Sequence, residues 1–165
     1  MKRPNRYPYT KPKFRVWHHE LGRLMSVKCM FFQDSEIEEF ELNDTLMNDY
    51  ITAYPDEIEL MQSTGLFDRN GKEIFEGDIL KFNDEWNEYC HEGYVDGSVE
   101  GVNYVEVVRS EICFEFGKTK YPDSSLFILM EDEQLNFKDF IKSEDFEFEI
   151  IGNIYENPEL LEDKE

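Results

Sequence analysis

Cysteine and histidine side chains are the groups in this chain best suited to nucleophilic catalysis or metal binding, and they occur as two adjacent pairs. Cys90 precedes His91, and His18 precedes His19. A thiol becomes nucleophilic when a neighbouring base takes its proton, so Cys90 and His91 define one hypothesis, a thiol hydrolase. Neighbouring residues of a strand point to opposite faces, so His18 and His19 are poorly placed to bind one ion together.

The other patterns that carry chemistry are missing from the sequence. It contains no C-x-x-C pair, no H-E-x-x-H helix motif, no EF-hand loop and no glycine-rich phosphate loop. Cys113 lies between Ile112 and Phe114 and is expected to be a strand residue. The remaining cysteine, Cys29, leaves an odd number without paired spacing, which suits free thiols in a reducing cytosol. We therefore predict a protein that is not an enzyme, with no catalytic residue, no metal site and no cofactor.

Charge is large and unevenly distributed along the chain. The 165 residues include 17 Lys and Arg against 38 Asp and Glu, a formal net charge of −21. Residues 1–28 have eight basic residues and one acid, a net of +7, whereas residues 29–165 have nine basic and 37 acidic residues, a net of −28. An acidic body repels nucleic acid phosphates and anionic membrane surfaces, so we expect neither as a partner.

The basic residues at the start of the chain define a candidate interaction segment. Pro4, Pro8 and Pro12 favour an extended arm over a helix, because each proline lacks a backbone donor and fixes φ. The arm either neutralises its own acidic body or reaches another subunit or an acidic partner, and the sequence leaves both readings open. The candidate interaction residues are Lys2, Arg3, Arg6, Lys11, Lys13 and Arg15.

The arm also supports an alternative reading as a binder of single-stranded nucleic acid. Tyr7, Tyr9 and Phe14 alternate with its cations, and cations beside stacking aromatic rings are typical of such binders. The −28 body opposes this reading.

Composition predicts a folded cytoplasmic domain. Fourteen Phe and nine Tyr are too many for a disordered acidic chain, and 165 residues suffice for one core. No apolar segment is suited to export or to crossing a membrane. We expect a basic proline-rich arm at residues 1–12 and a single β-rich domain at residues 13–165.

Short alternating segments separated by glycine turns predict a mainly β fold, a small antiparallel barrel or sandwich built from short hairpins with one or two short helices. Gly65, Gly71 and Gly77 are expected in turns, with Asp68 and Asn70 binding their own backbone and Asp78 capping the turn before its strand. Residues 33–56 are expected to include a loop, with a helical turn near 43–49 and a boundary at Pro55, and residues 83–101 are expected to be loop-like. Strands are predicted at 13–17, 24–32, 58–60, 72–75, 78–82, 103–109, 111–116, 126–130 and 146–150, a helix at 132–142, and a helical turn after Pro158.

Three segments resemble the YopX family of phage and prophage proteins. The first comprises residues 60–66, Leu-Met-Gln-Ser-Thr-Gly-Leu, with residues 68–79, Asp-Arg-Asn-Gly-Lys-Glu-Ile-Phe-Glu-Gly-Asp-Ile. The others are residues 13–17, Lys-Phe-Arg-Val-Trp, and residues 150–161, Ile-Ile-Gly-Asn-Ile-Tyr-Glu-Asn-Pro-Glu-Leu-Leu. The resemblance implies a bacterial virus or prophage, a small β-rich fold and a homo-oligomer, and it supplies no catalytic residues. The arm lies outside the matching part.

These observations predict a non-enzymatic phage or prophage protein that acts through protein–protein contacts in the bacterial cytoplasm. Its expected partners are a second copy of itself and a basic host or phage protein. The main alternative is an acidic decoy that binds a basic, nucleic-acid-binding host protein.

Overall fold

Two open antiparallel sheets make up most of the described chain. The structure is a computed structural model that describes residues 13–44, 49–89, 95–111, 113–121 and 136–162, without the side chains of residues 85–89 and 95–100. The strands are β1 (Phe14–His18), β2 (Arg23–Gln33), β3 (Glu36–Asp44), β4 (Asp49–Ala53), β5 (Ile58–Phe67), β6 (Glu73–Phe75), β7 (Asp78–Tyr89), β8 (Val95–Arg109), β9 (Phe114–Thr119) and β10 (Glu149–Asn153). The helical segments are α1 (Phe137–Lys142) and the 3-10 turns Pro55–Glu57 and Pro158–Leu161.

The strand order is β4-β3-β2-β1-β5-β6 in one sheet and β10-β7-β8-β9 in the other. Within the described residues neither sheet closes into a barrel, so the prediction of a mainly β antiparallel fold with few helices is confirmed and its barrel form is not. The chain groups into two compact units, Met1–Gly65 and Leu66–Glu165. The predicted arm, residues 1–12, lies outside the described residues, and the single domain at 13–165 stays a prediction.

The first unit buries one face of its sheet. Val16 of β1 and Met25 of β2 share this face with Phe40 and Leu42 of β3, and Ala53 and Ile58 complete the cluster. Phe40 and Leu42 alternate with Glu39 and Glu41, as a strand with one buried face requires. Ile37 is three residues before Phe40, so regular alternation would place the two side chains on opposite faces of β3. The β2–β3 register is irregular beside Phe32, where Phe31 is opposite Glu39 and Phe32 is opposite Ile37. Because of this irregularity, Ile37 still packs against the same cluster as Phe40.

Most of residues 33–56 form strands where a loop was expected. They are β3 and β4, paired from Phe40 opposite Ala53 to Asp44 opposite Asp49, and a 3-10 turn begins at the expected Pro55 boundary. The helical turn expected near 43–49 falls mainly on residues 45–48, which lie outside the described residues. The register irregularity near Ile37 breaks the regular alternation of apolar and polar residues in β3. Without that alternation, the acidic composition favoured a loop over a strand. The two-residue turn between β2 and β3 consists of Asp34 (φ 52°) and Ser35 (φ 71°), both left-handed as in a type I′ turn.

The core of the second unit is rich in aromatic rings. Phe82, Phe116 and Phe148 come from three strands or strand ends, and α1 adds Phe137 and Phe140. The ring centroids of Phe116 and Phe148 are 5.4 Å apart with nearly parallel planes, and those of Phe116 and Phe137 are 4.7 Å apart. Six residues alone are too few for a stable helix, so packing of Phe137 and Phe140 in this core stabilises α1.

The predicted loop at residues 83–101 is also wrong. β7 continues to Tyr89 and β8 begins at Val95, and the two strands pair from Ile79 opposite Glu106 to Tyr89 opposite Val95. Charged residues and glycines in this stretch lowered its apparent strand propensity, yet the backbone ladder is continuous with the buried part of the sheet. Residues 90–94 lie outside the described residues.

Three further boundaries differ from the sequence expectation. The strand predicted at 146–150 begins at Glu149, because Glu147 has a left-handed φ of 50° that interrupts the extended backbone. The strand predicted at 111–116 begins at Phe114, after a turn. The helix predicted at 132–142 begins at Phe137, and Asn136 caps it by accepting from the Asp139 N–H at 3.0 Å.

Residues 122–135, which include the strand predicted at 126–130, lie outside the described residues. The helical turn expected after Pro158 is present as the 3-10 turn Pro158–Leu161.

One buried carboxylate joins two segments that are about eighty residues apart in sequence. Asp68 Oδ1 accepts from the N–H groups of Asn70 at 2.9 Å and Lys72 at 2.8 Å, and Oδ2 accepts from the Ile150 N–H at 3.0 Å. The self-binding turn predicted for Asp68 is therefore confirmed, while Asn70 instead donates from its side chain to Glu149 at 3.2 Å. Gly71 has the positive φ, 80°, that this turn needs. Gly65, which was also expected in a turn, instead lies within β5 with φ 74°.

Asp78 and the C-terminal segment complete this arrangement. Asp78 Oδ2 accepts from the Phe75 N–H at 2.8 Å, which confirms its predicted capping role. Asn153 is buried and its Oδ1 accepts from the N–H groups of Tyr155 and Glu156. A Cβ added to Gly152 would overlap the side chain of Asn157, whose Oδ1 accepts from the Asn153 N–H at 3.3 Å.

We predict that Asp68→Ala lowers the free energy of unfolding of the chain by about 2 kcal/mol or more, because three backbone N–H groups lose their acceptor in a buried setting. Urea unfolding followed by tryptophan fluorescence measures the effect. Asp145→Ala, at an exposed acid of the same unit, is the matched control and should change stability little. Equal stability of the two variants would contradict the role given to Asp68.

We predict that Ser35→Gly stabilises the first unit by about 1 kcal/mol, because glycine adopts a left-handed φ without the Cβ clash that serine has there. The midpoint of urea unfolding measures this gain. Ser143→Gly is the control, since Ser143 has an ordinary φ of −69° and glycine brings no gain there. A loss of stability in Ser35→Gly would show that the turn is not left-handed.

Candidate interaction surface

The two histidines of the adjacent pair make separate local contacts. His18 is buried and its Nδ1 accepts from the Leu21 N–H at 3.2 Å, whereas His19 is exposed and lies 3.3 Å from a carboxylate oxygen of Glu59. The two rings thus lie on opposite faces of the strand end, as alternation predicts. Cys90 and His91, the hypothetical hydrolase pair, lie outside the described residues.

Cys113 is in a turn and not in a strand, which corrects the sequence expectation. The Ser110 N–H donates to the Cys113 carbonyl at 2.8 Å, and the Cys113 N–H donates to Ser110 Oγ at 3.2 Å. These reciprocal bonds close the turn before β9. Cys113 is exposed and Cys29, in β2, is half-buried.

Buried polar groups in the second unit bind the protein's own backbone. Asn103 Nδ2 donates to Asp84 at 2.8 Å and to the Tyr121 carbonyl at 2.9 Å, while its Oδ1 accepts from the N–H groups of Tyr104 and Tyr121. This network joins β7 and β8 to the segment that follows β9. Across the described ranges, no three His, Cys, Asp or Glu side chains are grouped to hold a metal ion, and no helix there is long and apolar enough to cross a membrane.

Only two of the six candidate interaction residues can be located. Lys13 is exposed and directly precedes β1, and Arg15 is half-buried within β1. Lys2, Arg3, Arg6 and Lys11 lie outside the described residues. The Lys13 carbonyl accepts from the Ser63 N–H at 2.8 Å, so the backbone at Lys13 is joined to β5.

The acidic charge is concentrated in the second unit. Met1–Gly65 has eight basic and eleven acidic residues, a net of −3, whereas Leu66–Glu165 has nine basic and 27 acidic residues, a net of −18. Glu106 of β8 shows the cost of placing carboxylates in a sheet: burial raises its pKa, and the nearby charge of Lys118 lowers it in part.

Basic side chains of β2 are engaged locally. Arg23 pairs with the buried Asp44 at the end of β3. Lys28 lies 3.7 Å from a carboxylate oxygen of Glu41, and its Nζ is 3.6 Å from the centre of the Tyr50 ring. From residue 29 to residue 68 the sequence has no Lys or Arg at all.

The distal half of the β2–β3 hairpin is an exposed surface that the sequence reasoning missed. β1 pairs with β2 only as far as Ser26, so among the described residues the stretch 27–33 pairs with β3 alone. Phe31 and Phe32 are 47% and 62% exposed there, beside the exposed acids Asp34, Glu36 and Glu38. Two adjacent phenylalanines at a strand end, followed by an acidic stretch, are the sequence signal that could have identified it.

Two solved structures resemble this fold. A crystal structure of protein EF1440 from Enterococcus faecalis matches with a TM-score of 0.55 and 24% identity, covering 93% of this chain and 100% of that one. The crystal structure of protein yopX from Bacillus subtilis matches with a TM-score of 0.46 and 19% identity, covering 91% of this chain and 98% of that one. A comparison with curated proteins finds no match.

The family model described as YopX protein matches residues 13–162. This range includes the Asp68 turn, Asp78 and the Gly152–Asn157 segment, which are the features that hold the second unit together. It excludes the basic residues 1–12. The chain belongs to the YopX family.

Proposed function

We propose that this YopX-family chain is a non-enzymatic phage or prophage protein that acts in the bacterial cytoplasm by binding protein, and that it assembles as a homo-oligomer. The observation that carries the proposal is the charge asymmetry, +7 in residues 1–28 against −28 in residues 29–165. Unlike charges on two parts of one chain favour contacts between copies, because each copy offers both the basic segment and the acidic surface.

The basic segment adjoins β1 at an exposed residue. Lys13 is exposed immediately before β1, and its carbonyl accepts from the Ser63 N–H of β5. An acidic body of net −28 also repels itself, and a basic segment from a neighbouring copy offsets that repulsion at the contact.

We predict that replacing Lys2, Arg3, Arg6 and Lys11 by Ser weakens self-association in low salt, because four cations are lost from the arm. Light scattering after size exclusion, at low and at high salt, measures the mass of the full chain, this variant and a version that starts at Lys13. The full chain is expected to be larger than either altered chain at low salt, and the difference should shrink at high salt.

The matched control replaces four exposed lysines of the second unit, Lys72, Lys118, Lys138 and Lys142, by Ser. It makes the same change in net charge without touching the arm, and it should leave the mass unchanged. An unchanged mass in the arm variant would contradict the proposed assembly.

The charge of −18 on Leu66–Glu165 favours a second candidate, an acidic decoy for a basic nucleic-acid-binding host protein. Such a decoy releases DNA from a basic DNA-binding protein in a salt-sensitive way, and deleting the arm strengthens the effect because the net charge becomes more negative. A fluorescence-anisotropy competition with labelled DNA tests it. An effect that requires the arm would argue against the decoy.

A further inference from the structure

We infer that the distal β2–β3 hairpin, residues 27–33 of β2 and 36–41 of β3, receives the basic arm of a second copy of this chain as an added strand. The inference rests on the assembly proposed above and specifies where the arm binds. It follows from the pairing of β1, the positions of the prolines and the chemistry of the hairpin.

An open backbone edge is the first observation. β1 pairs with β2 from His18 opposite Arg23 to Arg15 opposite Ser26 and no further, so in the described part of the chain residues 27–33 have one partner strand, β3. Exposed edges bind extended segments through main-chain hydrogen bonds. Seven residues span roughly 23 Å, and a twelve-residue extended arm reaches roughly 40 Å, so the arm is long enough to cover this edge.

The prolines disfavour a continuation of β1 along this edge by the arm of the same copy. In β1 the Lys13 carbonyl accepts from Ser63 of β5, whereas the His18 carbonyl accepts from Gly22 on the β2 side. Odd-numbered residues thus direct their backbone groups to β5 and even-numbered residues direct theirs to β2. A continuation of β1 would place Pro12 and Pro8 at β2-facing positions, where a proline has no N–H to donate.

The same spacing leaves every backbone N–H in place along the other edge of an extended arm, where another chain could accept from them. All three arm prolines are even-numbered, so positions 3, 5, 7, 9 and 11 each retain an N–H. Within β5, Gly65 interrupts a regular ladder with this edge, because its φ is 74° and its N–H donates to Ser63 Oγ at 3.0 Å. A strand from a second copy, entering at its own register, can present its odd-numbered positions to the open edge of β2.

Side-chain chemistry matches on the two surfaces. Phe31 and Phe32 are exposed and, as neighbours in a strand, point to opposite faces of the hairpin. Tyr7 and Tyr9 share one face of an extended arm and can pack against whichever of the two phenylalanines lies on that face. The hairpin has exposed acids at Asp34, Glu36 and Glu38 and no basic residue beyond Lys28, while residues 1–12 have four cations and no acid. Apolar contact and charge therefore favour the same pairing.

Charge exchange between the two surfaces tests the inference. In the full chain, one variant carries K2E/R3E/R6E/K11E in the arm, and another carries E36K/E38K/E39K in the hairpin. Light scattering at low salt should show at least a ten-fold loss of self-association for each variant alone. Mixing the two variants should restore a complex, because each arm then meets a hairpin of opposite charge on the other copy.

The matched control, E144K/E159K/E162K, alters three exposed acids of the second unit and should assemble like the unchanged chain. F31S/F32S should also weaken assembly without changing net charge, and circular dichroism checks that each variant remains folded. A hairpin variant that assembles normally while the arm variant dissociates would overturn the hairpin as the receptor and leave the proposed assembly standing. A monomeric unchanged chain would overturn both.

Discussion

The second unit depends on the carboxylate of Asp68. Its two oxygens hold three backbone N–H groups, two from its own turn and one from Ile150, so the turn before β6 and the start of β10 are fixed by one side chain. Around it, the Arg69 N–H donates to the Phe148 carbonyl at 2.9 Å, which brings Phe148 over the aromatic core. The Asp68 carboxylate thereby links the conformation of its own turn to the position of the segment that carries Phe148 into the core.

The glycines and acids of this region shape and bind the backbone. Gly71 and Gly77 take left-handed conformations, and Asp78 and Asn153 bind nearby N–H groups. A motif shared by family members can therefore reflect the demands of folding alone. Function is better sought where side chains are exposed without an evident structural need, as Phe31 and Phe32 are.

The sequence predicted features that depend on local chemistry. Glycine conformation predicted the turns at Gly71 and Gly77, and the chemistry of short polar side chains predicted the capping by Asp78. Period-two alternation predicted β1 and β2, and part of β9. It did not predict β3, where an irregular register shifts the phase at Ile37, or the far halves of β7 and β8, where pairing with a neighbour matters more than composition. The sequence indicated the basic residues of the arm but not the distal β2–β3 hairpin. That residues 27–33 have β3 as their one partner strand among the described residues is a property of pairing and cannot be read from residue types.

The close contact between Gly152 and Asn157 constrains how this chain can diverge. A side chain at position 152 would occupy the space of the Asn157 amide, and moving that amide would remove the acceptor of the Asn153 N–H. We therefore expect the two positions to be coupled during evolution. A homologue with a larger residue at the equivalent of 152 is expected to have a different side chain or conformation at the equivalent of 157.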